Sequence, residues 1–197
     1  HLAGGGSLTL ADVRTFGCVY GFAAGEELAV PGLQSLGPEP FSDDFTPAYL
    51  VQAIRGRKQP IKSFLLDQRH IAGLGNIYAD EALFLAGLDP RRAAGSLTQG
   101  KCRVLVASIR HVLTDGITDG GTTFRNYRNG EGGYGHHQEH LCVYHRAGKP
   151  CPICGRPNEK TTVGGRGTHF CRYCQHGKIF PPRKGNIRLS GIFIRGF

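Results

Sequence analysis

Four cysteines constrain this chain more tightly than any other residues. Cys151 and Cys154 form one Cys-x-x-Cys pair, Cys171 and Cys174 form a second, and sixteen residues separate the pairs. Two such knuckles can bring four thiolates around one Zn²⁺ at about 2.3 Å, in a closed tetrahedral site that leaves no position for catalysis. So short a segment has little core of its own, and metal binding then supplies much of its folding energy. A disulfide pair or a redox dithiol is the alternative; the presence of both halves at this spacing favours one structural zinc. Cys18, Cys102 and Cys142 remain, and read as small buried hydrophobes. Between the knuckles, residues 163–170 (VGGRGTHF) carry β-prone ends around a Gly-rich tip, which predicts a hairpin presenting Arg166.

The second informative stretch is 61–84, IKSFLLDQRHIAGLGNIYADEALF. Leu65 and Leu66 give one apolar helical face, Gly73 and Gly75 punctuate a turn, and Asn76 stands where a helix N-cap belongs. Ile77, Tyr78, Ala82, Phe84 and Leu85 then follow at helical spacing, with Gly87 as the stop. A helix that starts at a Gly-rich turn offers free N–H groups and a positive dipole end, a natural seat for a phosphate. An ordinary helical hairpin would show the same pattern.

Around this centre, Thr46 and Pro47 predict a helix start, with an end near Gly56. Ser96 and Gln99 read as a capping box, and an apolar stripe through Val104, Leu105, Ile109 and Val112 predicts a long helix over 97–118. Alternation at Leu8, Leu10, Cys18, Tyr20 and Phe22 predicts strands before a Pro- and Gly-rich linker over 33–45. His136, His137, His140 and His145 match no common ligand spacing and are expected to be polar loop residues. Lys and Arg total 24 against 15 Asp and Glu, a net charge of +9, so a polyanion is the natural partner. No apolar run is long enough to span a bilayer and no basic-then-apolar leader is visible. The expectation is a soluble, cytoplasmic, nucleoid-associated monomer with no membrane contact.

In order, residues 61–62 (IK), 66–68 (LDQ) and 73–81 (GLGNIYADE) closely resemble the helix-two-turn-helix of the formamidopyrimidine-DNA glycosylase family. Residues 12–17 (DVRTFG), 36–40 (LGPEP), the two knuckles and Gln175 extend that resemblance over about 12–178. It implies an α+β chain: the C-terminal part of a β-sandwich over 1–32, a linker, a four-helix domain with a lesion-capping loop over 46–140, and a zinc finger over 141–178. The atypical tail 179–197 has no functional account. By the same resemblance Asn76 holds a DNA phosphate, Lys62 lies near the damaged nucleotide, and Arg166 contacts the phosphates flanking the lesion. Arg14 and Phe16 enter the duplex beside the extruded base, with Thr15 standing where a second Arg is usual. Gly121, Thr122, Thr123, Arg125 and Tyr127 belong to the loop that caps the lesion, although His136 and His137 stand where the family often has an aromatic pair.

The implied function is base-excision repair of damaged double-stranded DNA, removing oxidised purines such as 8-oxoguanine and formamidopyrimidines with lyase cleavage at the abasic site. In the family the nucleophile is the amine of an N-terminal Pro followed by Glu. This chain starts with His1, has no Met, and carries Pro38-Glu39 only internally, where the nitrogen is an amide. It therefore reads as a piece of a longer protein, with no catalytic residue assigned, expected to bind DNA but not to run the glycosylase reaction alone. The alternatives are a non-enzymatic damaged-DNA-binding module and a related glycosylase preferring oxidised pyrimidines. Gly121, Thr122 and Thr123 argue against the last.

Overall fold

A computed structural model describes residues 4–7, 9–10, 17–26, 29–30, 32–122 and 135–176. The chain divides into two compact units, His1–Leu36 and Gly37–Phe197. In the first, the described residues include the 3₁₀ turn Leu33–Ser35 and form no strand. Leu10, Val19, Tyr20 and Phe22 are exposed. Alternating residues make a strand only when a neighbouring strand takes up the backbone N–H and C=O groups, and no such pairing forms among the described residues here. The strands expected over 8–30 are therefore absent from the described residues. Arg14 and Phe16 lie outside them.

Among the described residues, the second unit holds four α-helices and a hairpin. Helix α1 is Pro47–Ala53, capped by the Thr46 hydroxyl, which accepts from the Tyr49 N–H at 3.0 Å. Helix α2 is Ile61–Leu66, α3 is Asn76–Leu85 and α4 is Gln99–Thr118. Strands β1 (Glu159–Val163) and β2 (Arg166–Phe170) pair antiparallel. Phe45, Leu50, Phe64, Leu65, Leu74, Leu83, Leu105 and Ile109 share one core between the helices. None of the described helices is long and apolar enough to cross a membrane.

Two caps differ from expectation. Gly75, not Asn76, takes the N-cap of α3, and Asn76 becomes the first helical residue because its side chain is engaged across the fold. Thr98 caps α4 by accepting from the Lys101 N–H, while Ser96 is held in a preceding 3₁₀ turn, donating to the Ala93 carbonyl and accepting from Arg92.

Helix α3 is the centre. Ala79 through Phe84 are all buried, because α2, α4 and β2 surround it. A helix covered on every side should be apolar. Two of these six residues are Asp80 and Glu81, and their partners define the site described next.

Part of the expected linker is pinned to α4. The half-buried Arg110 guanidinium donates to the carbonyls of Pro40, Ser42 and Phe45 at 2.8, 3.1 and 3.0 Å. Three carbonyls around one planar fork need its geometry as well as its charge. Arg110→Ala should cost about 2–3 kcal/mol of unfolding free energy, measured by urea titration, and Arg110→Lys should recover less than half of that.

Candidate nucleic-acid interface and zinc site

The hairpin turn is Gly164-Gly165, with φ of 56° and 75°. Positive φ at both central residues is what a two-residue turn needs to follow the strand twist. Gly164 also lies so close to α2 that an added Cβ would collide with the Ser63 hydroxyl. Val163 then pairs with Arg166, which opens β2 as an exposed residue.

Polar side chains of α2 and α3 hold β2 by its backbone. Lys62 Nζ lies 2.7 Å from Asp80 Oδ1, and both side chains are fully buried, at 0 % exposure. The same ammonium donates to the Gly167 carbonyl and to Thr168 Oγ1, each at 2.9 Å. The Thr168 hydroxyl in turn donates to the Arg166 carbonyl. Asp80 Oδ2 accepts from the His169 N–H at 2.8 Å, and Asn76 Nδ2 donates to the Gly167 carbonyl at 3.1 Å. Burial pushes the Asp80 carboxyl up to about 6, against the pull of Lys62, and burial pulls the Lys62 amine down.

Lys62 was expected to lie near a damaged nucleotide. Its ammonium faces three protein acceptors in a site with no solvent access.

Glu81 repeats the device one residue on. Its carboxylate accepts from the N–H groups of Cys142, Val143 and Tyr144 at 2.8–2.9 Å, fixing the chain that enters the first knuckle. Burial raises its pKa, opposed by those three donors. Gln175 closes the other end, donating to the Leu88 carbonyl and accepting from the Cys171 N–H.

The four cysteines meet as the spacing predicts. Sγ of Cys151 lies 3.7 Å from that of Cys174, and Sγ of Cys154 lies 3.6 Å from that of Cys171. Four sulfurs at 2.3 Å from a central ion stand about 3.8 Å apart in a regular tetrahedron, whereas a disulfide needs about 2.05 Å. The set therefore fits one structural zinc, and all four cysteines are free of disulfides.

Of the residues expected to cap a lesion, Gly121 and Thr122 follow α4, and Thr122 Oγ1 is 3.1 Å from the Tyr78 hydroxyl. Thr123, Arg125 and Tyr127 lie outside the described residues. Thr122 and His136 form an isolated bridge. Beside it, Asp119 Oδ2 meets Nδ1 of His137 at 2.8 Å and Nδ1 of His140 at 2.7 Å, and these contacts hold the Asp119 carboxyl below its ordinary pKa. Sequence spacing missed this group because Asp119 stands far from the histidines in the chain. It also missed Asp80 and Glu81, although two acids inside an apolar helix were a visible signal.

A helix–turn–helix body whose central helix grips a four-cysteine hairpin defines a helical domain joined to a zinc finger. The family model for the formamidopyrimidine-DNA glycosylase H2TH domain matches residues 36–127, and that for the zinc finger found in FPG and IleRS matches 148–177. The chain belongs to the formamidopyrimidine-DNA glycosylase family. It is 48% identical to the formamidopyrimidine-DNA glycosylase of Symbiobacterium thermophilum, over 99% of this chain and 65% of that protein. The crystal structure of MutM (Fpg) from Thermus thermophilus superposes with a TM-score of 0.79 at 46% identity, covering 84% of this chain and 63% of that one. A complex of Lactococcus lactis Fpg with abasic-site DNA gives 0.77 at 38% identity, covering 84% and 60%. The chain thus spans under two thirds of the length of these relatives.

If the ion pair sets the helix–hairpin register, its two halves must be coupled. Lys62→Met leaves Asp80 buried without its cation and should cost about 3–5 kcal/mol. Adding Asp80→Asn should recover at least about 1 kcal/mol in denaturant titrations of the zinc-loaded chain; simple addition of the two losses would contradict the coupling.

Proposed function

We propose that this chain supplies the DNA-gripping and lesion-enclosing part of a base-excision repair glycosylase for oxidised purines, 8-oxoguanine and formamidopyrimidines among them, with strand cleavage at the abasic site. The observation that carries the reading is the junction at Gly167. Its carbonyl accepts from Asn76, at the start of α3, and the residue before it is Arg166. One phosphate at this junction would meet the positive end of a ten-residue helix that no side chain caps, the second Nδ2 hydrogen of Asn76, and the Arg166 fork.

The chain's own residues then divide the work. Asn76 and Arg166 hold the backbone that flanks the lesion, and Lys62, Asp80 and Thr168 fix the strand from which Arg166 projects. Arg14 and Phe16 fill the space that the extruded base leaves. The segment beginning at Gly121 and Thr122, with Thr123, Arg125 and Tyr127, encloses that base, with Thr122 anchored by Tyr78. Attack on the sugar C1′ needs an amine that can form an iminium. Lys62 does not serve, since its ammonium is enclosed by protein acceptors, and none of the described residues is assigned that step. The protein acts as a monomer on damaged double-stranded DNA, in the cytoplasm at the nucleoid.

The test is a fluorescence titration of the zinc-loaded chain against duplexes with and without an abasic-site analogue. Arg166→Ala should weaken binding to every duplex and lower the slope of log affinity against log salt by about one. Unchanged affinity and slope would remove the hairpin from the interface.

A further inference from the structure

Asp119, His137 and His140 take no part in gripping or enclosing DNA as proposed. The turn His137–Glu139 is 3₁₀, a helix that repeats every three residues, so positions 137 and 140 fall on one edge. Their imidazoles meet edge to face, with centroids 6.1 Å apart. Backbone bonds bring this edge to the end of α4: the His136 N–H donates to the Asp119 carbonyl at 3.0 Å and the His137 N–H to that of Gly121 at 3.1 Å. The Asp119 carboxylate and the two Nδ1 atoms consequently lie within 4.8 Å of one another.

Burial differs across the three in a way that suits a binding site. The His137 side chain is 7 % exposed and its ring packs on Tyr78 at 5.6 Å, so it is already oriented. The His140 side chain is 63 % exposed, which gives an ion a way in and leaves room for water to complete its shell. Asp119 follows the last turn of a twenty-residue helix, whose carbonyl end favours a cation.

We propose that Asp119, His137 and His140 form a second metal site for a divalent transition ion, zinc foremost, that ties the end of α4 to the 3₁₀ turn. Two imidazole nitrogens and one carboxylate oxygen suit Zn²⁺, Ni²⁺ or Co²⁺, whereas Mg²⁺ and Ca²⁺ prefer oxygen alone. On binding, each imidazole stays neutral and carries its proton on Nε2, so that Nδ1 offers its lone pair to the ion. The donor atoms must spread from 2.7–2.8 Å to about 3.3 Å, the separation that bonds of about 2.0–2.1 Å impose in a tetrahedron. Rotation of the partly exposed Asp119 carboxylate provides that distance.

The experiment is calorimetric titration of Zn²⁺ into the tag-free chain whose four-cysteine site is already filled, near neutral pH, followed by ¹H–¹⁵N spectra of the histidine rings. A second equivalent should bind, with the Nδ1 resonances of His137 and His140 shifting together. His140→Ala should lose that equivalent and keep the first; Asp119→Asn, a conservative change, serves equally if the alanine variant unfolds. No second equivalent at submillimolar zinc, or one that persists in both variants, overturns the proposal and leaves a hydrogen-bonded His–Asp–His group.

Discussion

A lysine and an aspartate 2.7 Å apart, both sealed from water, form the constraint on which the second unit depends. Removing two charges from solvent is expensive, and an ion pair alone rarely recovers the cost. Here the remaining valences are also filled: Lys62 reaches Gly167 and Thr168, and Asp80 takes the His169 N–H. A strand slipped by one residue would leave both charges buried with the wrong partners. The pair therefore works chiefly as a register lock, choosing one placement of β2 on α2 and α3.

The same logic runs through the zinc finger as a whole. Its internal order comes from a metal holding two knuckles, but its position comes from helical carboxylates and amides that bind its backbone. Glu81 takes three consecutive N–H groups before the first knuckle, and Gln175 joins the second knuckle to the chain after α3. Backbone partners tolerate changes in the finger's side chains, so the exposed face of the hairpin, Arg166 included, can be tuned for a ligand without loosening the clamp.

Much of this was legible in the sequence. The zinc ligands followed from spacing alone, because a tetrahedral site needs four thiolates and little else. Helix α3 and the hairpin followed from periodicity and from glycine at the turn. Long-range pairing was the part that stayed hidden. Asn76 looked like a cap by local rules, yet Gly167, 91 residues away, claims its amide. Lys62 stood in the sequence as one residue of a helical motif, with nothing local to show that its acceptors lie on α3 and β2. Asp119 joins histidines that local spacing marked as loop residues. Among the described residues of the first 30 no strand forms, and alternation without a paired neighbour does not specify one by itself.

If α3 and the hairpin present one phosphate site, built around Gly167, rather than two separate contacts, Asn76 and Arg166 must act on DNA as a unit. A double-mutant cycle in DNA affinity between Asn76→Ala and Arg166→Ala tests this most directly. A shared phosphate predicts strong coupling, with the double variant binding little worse than the weaker single variant. Losses that simply add would mean that the two residues grip different parts of the duplex, and the account of a single site would be wrong.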